Sequence, residues 1–322
     1  MNSTATCNGG CGFTCNLGYR LVAGQCELIV PAWTQRSPLS APQPRKEHGM
    51  AYDFNRRRIL LFGGVNASGT LLNDTWEWTG FNWQLVTTTA SPGPRSAHAM
   101  GTVGAAAYVS GGIRTFGADS DLWRFTGSNW TLLTMNPSPV LTPRSDHALA
   151  QDVGSGNVLV HGGAATGLSG STHAYSALFD LWSLQGASTP VRGHTLTFDP
   201  MANRVLRFAG ETDAGVSSTL EAWSGAMWSP LTSGTVPART QHSMVYDPTR
   251  GVFVVFGGRG ATYFGDTWEL SGTTFTAPML TAAPSPRASH AMAFDVDGGF
   301  GVLFGGEAPD GGVLGDTWVY GP

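Results

Sequence analysis

The chain has 322 residues, 41% apolar and 12% charged, with a net charge of -4. This composition can build a core and is not that of a disordered chain. The mild acidity supplies no global basic field for nucleic acid, and no apolar run is long enough to span a membrane.

All four cysteines, Cys7, Cys11, Cys15 and Cys26, precede residue 31. A segment this short cannot bury a core of its own, so residues 1–30 are expected to be a disulfide-stabilised unit. Four cysteines allow three pairings, and the sequence does not choose among them. Zinc is the competing reading, but paired C-x-x-C ligands are missing from the spacing. Disulfides imply an oxidising compartment, hence an extracellular or cell-surface protein, although Asn2-Ser3-Thr4 after Met1 is no basic and apolar leader.

From residue 31 onward one pattern recurs six times, about every 48 residues. An arginine shortly precedes a histidine: Arg45/His48, Arg95/His98, Arg144/His147, Arg192/His194, Arg239/His242 and Arg287/His290. An apolar run then ends in glycine, as in Leu60-Leu61-Phe62-Gly63-Gly64. A tryptophan follows, at Trp76, Trp123, Trp182, Trp223, Trp268 and Trp318. Each copy reads as four short strands. Strand A follows the arginine, B is the apolar run, C carries that tryptophan, and D a second aromatic such as Trp83, Trp130, Trp228 or Phe275. Short glycine turns make neighbouring strands antiparallel. Six copies of a 20–50-residue unit point to one closed ring of repeats.

The double glycine, the following tryptophan and the second aromatic resemble the Kelch repeat over residues 31 to 322. The resemblance implies an all-β, six-bladed β-propeller of four-stranded antiparallel blades. Two copies depart from the pattern. The third has little chain between Trp182 and Arg192, so its strand D is expected to be short or absent; the fourth has Ala209-Gly210 and a shortened Arg192-Gly193-His194. The last copy stops after Trp318, while Ala32-Trp33-Thr34-Gln35 looks like Asn82-Trp83-Gln84-Leu85. Trp33 is therefore expected to supply the missing strand D, closing the ring with the amino-terminal strand. Further upstream, Cys15 to Cys26 looks like the end of an epidermal-growth-factor-like or sushi-like module.

If the strands alternate, the arginines sit where D joins A, on the face that also carries the B-to-C loops. Arg45, Arg95, Arg144, Arg192, Arg239 and Arg287 are then candidates to ring the channel and take an anionic ligand. The competing reading has each arginine paired within its own blade. His173 and Tyr175 are further ligand candidates, expected in the longest B-to-C loop, between Gly163 and Asp180, on that face. The repeated histidines are expected to be structural, bonded to backbone. No phosphate loop, nucleophile elbow or metal-binding helix motif is present, and no metal or cofactor is called for. The expected function is a binding or interaction module for a protein or an anionic glycan, with no catalytic residues assigned. The alternative is an enzyme on a small anionic sugar, by analogy with Kelch-like sialic-acid mutarotases.

Overall fold

Apolar runs between glycine turns become the second strands, four to nine residues long, of six four-stranded antiparallel sheets. A computed structural model describes residues 19–22, 25–133, 141–152, 154–231 and 236–322. Blade one is Gly49–Asp53, Arg58–Phe62, Thr75–Trp78 and Trp83–Val86, strands A to D from the axis outward. Blade two starts at Ala99–Val103, blade three at Ala148–Gln151, blade four at Thr195–Asp199 and blade five at Ser243–Asp247. Blade six is Ala291–Asp295, Phe300–Glu307 and Val313–Gly321, and its outer strand is Ala32–Arg36. The expected closure is present: Trp33 stands opposite Tyr320 and Thr34 opposite Val319.

The six A strands adjoin one another in an unbroken circle around the axis. Hydrophobic burial is arranged as six clusters, one at each blade boundary. Strand B supplies their centre: Ile59, Leu60, Leu61 and Phe62 are fully buried because alternate residues enter opposite boundaries. Each such side chain contributes about 1.5–3 kcal/mol of transfer free energy.

The double glycine has a steric cause. A Cβ on Gly111 would meet the Arg144 carbonyl and the His147 ring of the next blade, both at 2.9 Å. A Cβ on Gly112 would lie 2.7 Å from the His98 Cβ of its own blade. One glycine thus admits the next blade's histidine and the other admits its own.

Blade three differs from the sequence expectation. Its strand C is Ser171–Ser176 and its strand D is Leu181–Ala187. Strand D is therefore present, and Trp182 belongs to it. Tyr175 pairs with Trp182 as Trp78 pairs with Trp83. In blade four, Trp223 stands opposite Trp228 and so occupies the position of Trp78, two residues beyond the expected one.

Among the amino-terminal residues, Tyr19–Val22 and Gln25–Leu28 form a hairpin whose second strand carries Cys26. The calls on Cys7, Cys11 and Cys15 lie outside the described residues. No described helix is long and apolar enough to cross a membrane.

Candidate functional site

Strand A brings one residue of each blade to every level of the channel. At its narrow end stand Glu47, Ala97, Asp146, Gly193, Gln241 and Ser289, each immediately before a channel histidine. All six have positive φ, between 51° and 60°. That conformation turns each N–H toward the carbonyl of the equivalent residue one blade back. Glu47 donates to Ser289 at 2.8 Å, Ala97 to Glu47 at 2.9 Å and Asp146 to Ala97 at 2.9 Å. Gly193 donates to Asp146 at 2.8 Å, Gln241 to Gly193 at 2.7 Å and Ser289 to Gln241 at 2.9 Å, which closes the circle.

Just inside lie His48, His98, His147, His194, His242 and His290, all buried, around a cavity of about 180 Å³. The backbone expected beside them is present, in loose geometry, at the carbonyls of Phe304, Phe62, Ser110 and Phe256 for His48, His98, His147 and His290. Both nitrogens of His48, His98, His147, His194 and His290 lack a hydrogen bond of ordinary geometry. Carbonyls such as Phe304 beside His48 and Phe62 beside His98 only favour the proton weakly. His242 differs: its Nε2 meets Thr195 Oγ1 at 3.1 Å. Burial, helped by nearby arginines, drives the imidazole pKa values down, to about 3 at His98 and His290. At neutral pH the ring is uncharged.

Below the histidines a layer of Met50, Met100, Leu149, Leu196, Met244 and Met292 separates this space from the opposite mouth. That mouth, at the A-to-B turns, is wider and apolar, with a cavity of about 580 Å³. Tyr52, Phe54, Phe198, Tyr246 and Phe294 line it. Phe54, Met201 and Val296 at the A-to-B turns are exposed, as are Phe81, Phe179 and Met227 at the C-to-D turns of the same face.

The arginines lie elsewhere. Arg45, Arg95, Arg144, Arg239 and Arg287 are fully buried inside their blades. Arg45 shows the recurring clip: Nε donates to the Gln43 carbonyl at 3.1 Å, Nη1 to the Gly63 carbonyl at 3.0 Å and Nη2 to Asp74 at 2.7 Å. Trp76 Nε1 holds the same carboxylate at 2.7 Å. Asp121, Asp266 and Asp316 with Trp123, Trp268 and Trp318 repeat the arrangement for Arg95, Arg239 and Arg287. Arginine, glycine, aspartate and tryptophan of the repeat are thus one bonded unit.

Two blades break it. Arg144 finds Ser171 where the others find aspartate, at 3.2 Å from Nη2, and burial lowers its pKa to about 10. In blade four the clip position is Val191, three residues before His194, as Arg45 is before His48. Arg192 is one place further on, 40% exposed and paired with Glu211. The expected ring of six equivalent arginines therefore has five members, and none of the five lines the channel cavities.

His173 and Tyr175 are not on a loop. They lie on strand C of blade three, buried, and the Tyr175 hydroxyl donates to Asp180 at 2.7 Å. His173 takes the place of the clip tryptophan beside Arg144, and burial lowers its pKa to about 4. The sequence reading passed over the channel histidines as ligand-facing groups. Their signal was available: a histidine at the head of strand A in all six copies must face the axis. Among the described residues no group of three or more histidines, cysteines or carboxylates could hold a metal.

A family model described as the KLHDC2/KLHL20/DRC7 Kelch-repeats domain matches residues 30–210. The chain belongs to the Kelch-repeat family. No curated protein sequence matches this Kelch chain. Among solved structures, the one titled "Structure of YjhT" is similar with a TM-score of 0.69 and 15% identity, covering 87% of this chain and 95% of the other. At that identity the likeness concerns the propeller alone.

Proposed function

We propose that this Kelch propeller is a protein-binding module whose partner surface is the A-to-B end of the channel. One observation carries the reading: the cavity of about 580 Å³ lined by Tyr52, Phe54, Phe198, Tyr246 and Phe294 opens on the face that exposes Phe54, Met201 and Val296. Its volume is that of a ligand pocket, and clustered exposed apolar side chains mark interaction surfaces. A partner segment carrying an apolar side chain fits it. We place the module outside the cell. This placement rests on the cysteine-rich residues 1–30, whose expected disulfides persist in oxidising compartments.

A peptide and glycan array tests the reading. Apolar peptides should bind the wild type and be lost from a Phe54→Ser/Met201→Ser variant with an unchanged melting temperature. Binding that ignores the variant overturns it. The second reading, an enzyme on a small anionic sugar, is favoured by the six channel imidazoles, whose uncharged rings can hydrogen-bond sugar hydroxyls. Turnover of an acidic sugar, lost in a His98→Gln variant, would select this reading over the first.

A further inference from the structure

The clip of blade three is built without its counter-ion. In blades one, two, five and six the buried guanidinium holds both oxygens of one aspartate, at 2.5–2.8 Å. Blade three keeps the frame: Arg144 Nε donates to the Thr142 carbonyl at 3.0 Å and Nη1 to the Gly162 carbonyl at 2.9 Å. Strands B and C keep their register, with Val160 opposite His173 as Leu61 is opposite Trp76. Ser171 and His173 therefore stand where Asp74 and Trp76 stand in blade one. Among the described residues the other four clip arginines each have an ion pair, and Arg144 has none.

The replacements are smaller as well as neutral. Ser171 Oγ sits alone between the two Nη atoms, at 3.3 Å and 3.2 Å. One distant, uncharged oxygen thus stands in for two close, charged ones, and a buried cation without its partner is costly. Imidazole is also smaller than indole, so the place of the clip tryptophan is only part filled. His173 is buried, its Nδ1 has no partner, and it lies near enough for the Arg144 charge to oppose its protonation. Solvent reaches this position of the repeat. The aspartates of the four complete clips are 13–34% exposed. Around Arg144, Thr142 and Pro143 are exposed and Ser169 and Ser171 half-buried.

We propose that the blade-three clip binds a carboxylate from outside, that of a small acid or of a peptide, in the place that aspartate fills in its neighbours. Arg144 Nη1 and Nη2 take its two oxygens, the pairing for which a planar guanidinium is suited. Ser171 turns about its Cα–Cβ bond to release both groups. Its hydroxyl then donates to the ligand beside that of Ser169, which it meets at 2.9 Å. The imidazole N–H of His173 takes the role of the indole donor. Of the six arginines expected to meet an anion, this is the one with its charge unpaired. The site lies at the D-to-A end of its blade, opposite the apolar mouth, and none of these residues lines a channel cavity.

The test is a titration of the full chain, labelled with ¹⁵N-histidine, with sodium acetate at neutral pH. The ring resonances of His173, assigned by their loss in His173→Gln, should move, and those of the channel histidines should not. Chloride should bind at least tenfold more weakly than acetate. Ser171→Asp, which supplies the carboxylate from within, should weaken acetate at least tenfold and raise the melting temperature. Arg144→Gln, which removes the charge, should abolish the response as well. A short peptide with a free carboxyl terminus that binds more tightly than acetate, while its amide does not bind, assigns the carboxylate to a polypeptide; equal affinity of peptide and acetate assigns it to a small acid. Still His173 resonances at millimolar acetate, equal binding by the wild type and Ser171→Asp, or a preference for chloride overturns the proposal. The Phe54→Ser/Met201→Ser variant should bind acetate normally, so failure here is separable from failure at the apolar mouth.

Discussion

Trp83 Nε1 donates to Thr317 Oγ1 at 3.0 Å, across a blade boundary and 234 residues of sequence. The strand D tryptophan of one blade thus anchors on the strand C threonine of the blade before it. Trp33 with Thr267, Trp130 with Thr75 and Trp228 with Thr172 do the same, each at 2.9 Å. Trp182 meets Leu122 at that position instead, and its Nε1 has no partner.

Thr317→Val should therefore cost about 1–3 kcal/mol, because it keeps the shape and strands a buried donor. Trp182→Phe should cost less than Trp83→Phe, since it removes a donor that is already unbonded. Urea denaturation of the three variants checks this, and equal costs for the two tryptophans would refute it.

The closing strand gives a second expectation. Trp33 packs its ring 5.0 Å from Phe256 and 4.9 Å from Tyr320. Deleting residues 1–36 removes this anchor and bares the edge of Val313–Gly321, so the melting temperature should fall and association through the open edge should appear. Deleting residues 1–26 leaves Ala32–Arg36 in place and the melting temperature close to that of the full chain. Calorimetry with light scattering distinguishes the two. An unchanged midpoint for the longer deletion excludes the closure as a source of stability.

The clip arginines should be far less forgiving than Arg192. Asp316→Asn leaves the Arg287 charge buried without its carboxylate, a loss of about 3–5 kcal/mol. Glu211→Gln breaks the exposed Arg192 pair and should cost under about 1 kcal/mol. Burial alone would raise the carboxyls of Asp74, Asp266 and Asp316, but bonds from arginine and tryptophan outweigh it and hold them below the usual range. A depressed carboxylate stabilises the fold above its unfolded pKa, about 4. That contribution is lost as pH falls through the lower folded value. Denaturation midpoints of the two variants at pH 7 test the contrast.

Histidine acts at milder acidity. The folded pKa values of His98 and His290 lie near 3, and those of His48, His147, His194 and His242 are also well below normal. Between about 6.5 and the folded value the unfolded chain binds protons that the folded chain does not. Stability should thus be complete above about pH 6.5 and fall with acidification by about 1.4 kcal/mol per pH unit for each histidine in that window. Guanidinium denaturation from pH 7.5 to 4.5 should show a steep decline, flattened in a His98→Gln/His290→Gln variant. A level profile down to pH 5 is incompatible with buried neutral imidazoles.

The ring of blades was legible because its residues bond to one another at fixed spacing: arginine, glycine pair, aspartate and tryptophan form one clip, so each repeats wherever the others do. The closure by Trp33 was legible for the same reason. Misreadings arose where local mimicry replaced that clip. Asp180-Leu181-Trp182 copies the look of Asp121-Leu122-Trp123, yet Trp182 lies on strand D, and Ser171-Thr172-His173 is the true equivalent. Arg192 drew the eye although Val191 keeps the three-residue spacing to His194. The apolar mouth was not legible at all. Tyr52, Phe198, Tyr246 and Phe294 read as ordinary strand residues until the A strands are set in a circle.

The hydrogen bonds that join Glu47, Ala97, Asp146, Gly193, Gln241 and Ser289 all run the same way round the axis. Peptide dipoles aligned along a helix add to a charge at each end, but aligned along a closed loop their components around the loop cancel. The narrow mouth is therefore bound together without acquiring a sign. A cation and an anion arriving there meet the same potential from the backbone, and discrimination between them is left to side chains such as Glu47 and Asp146 that project from the loop.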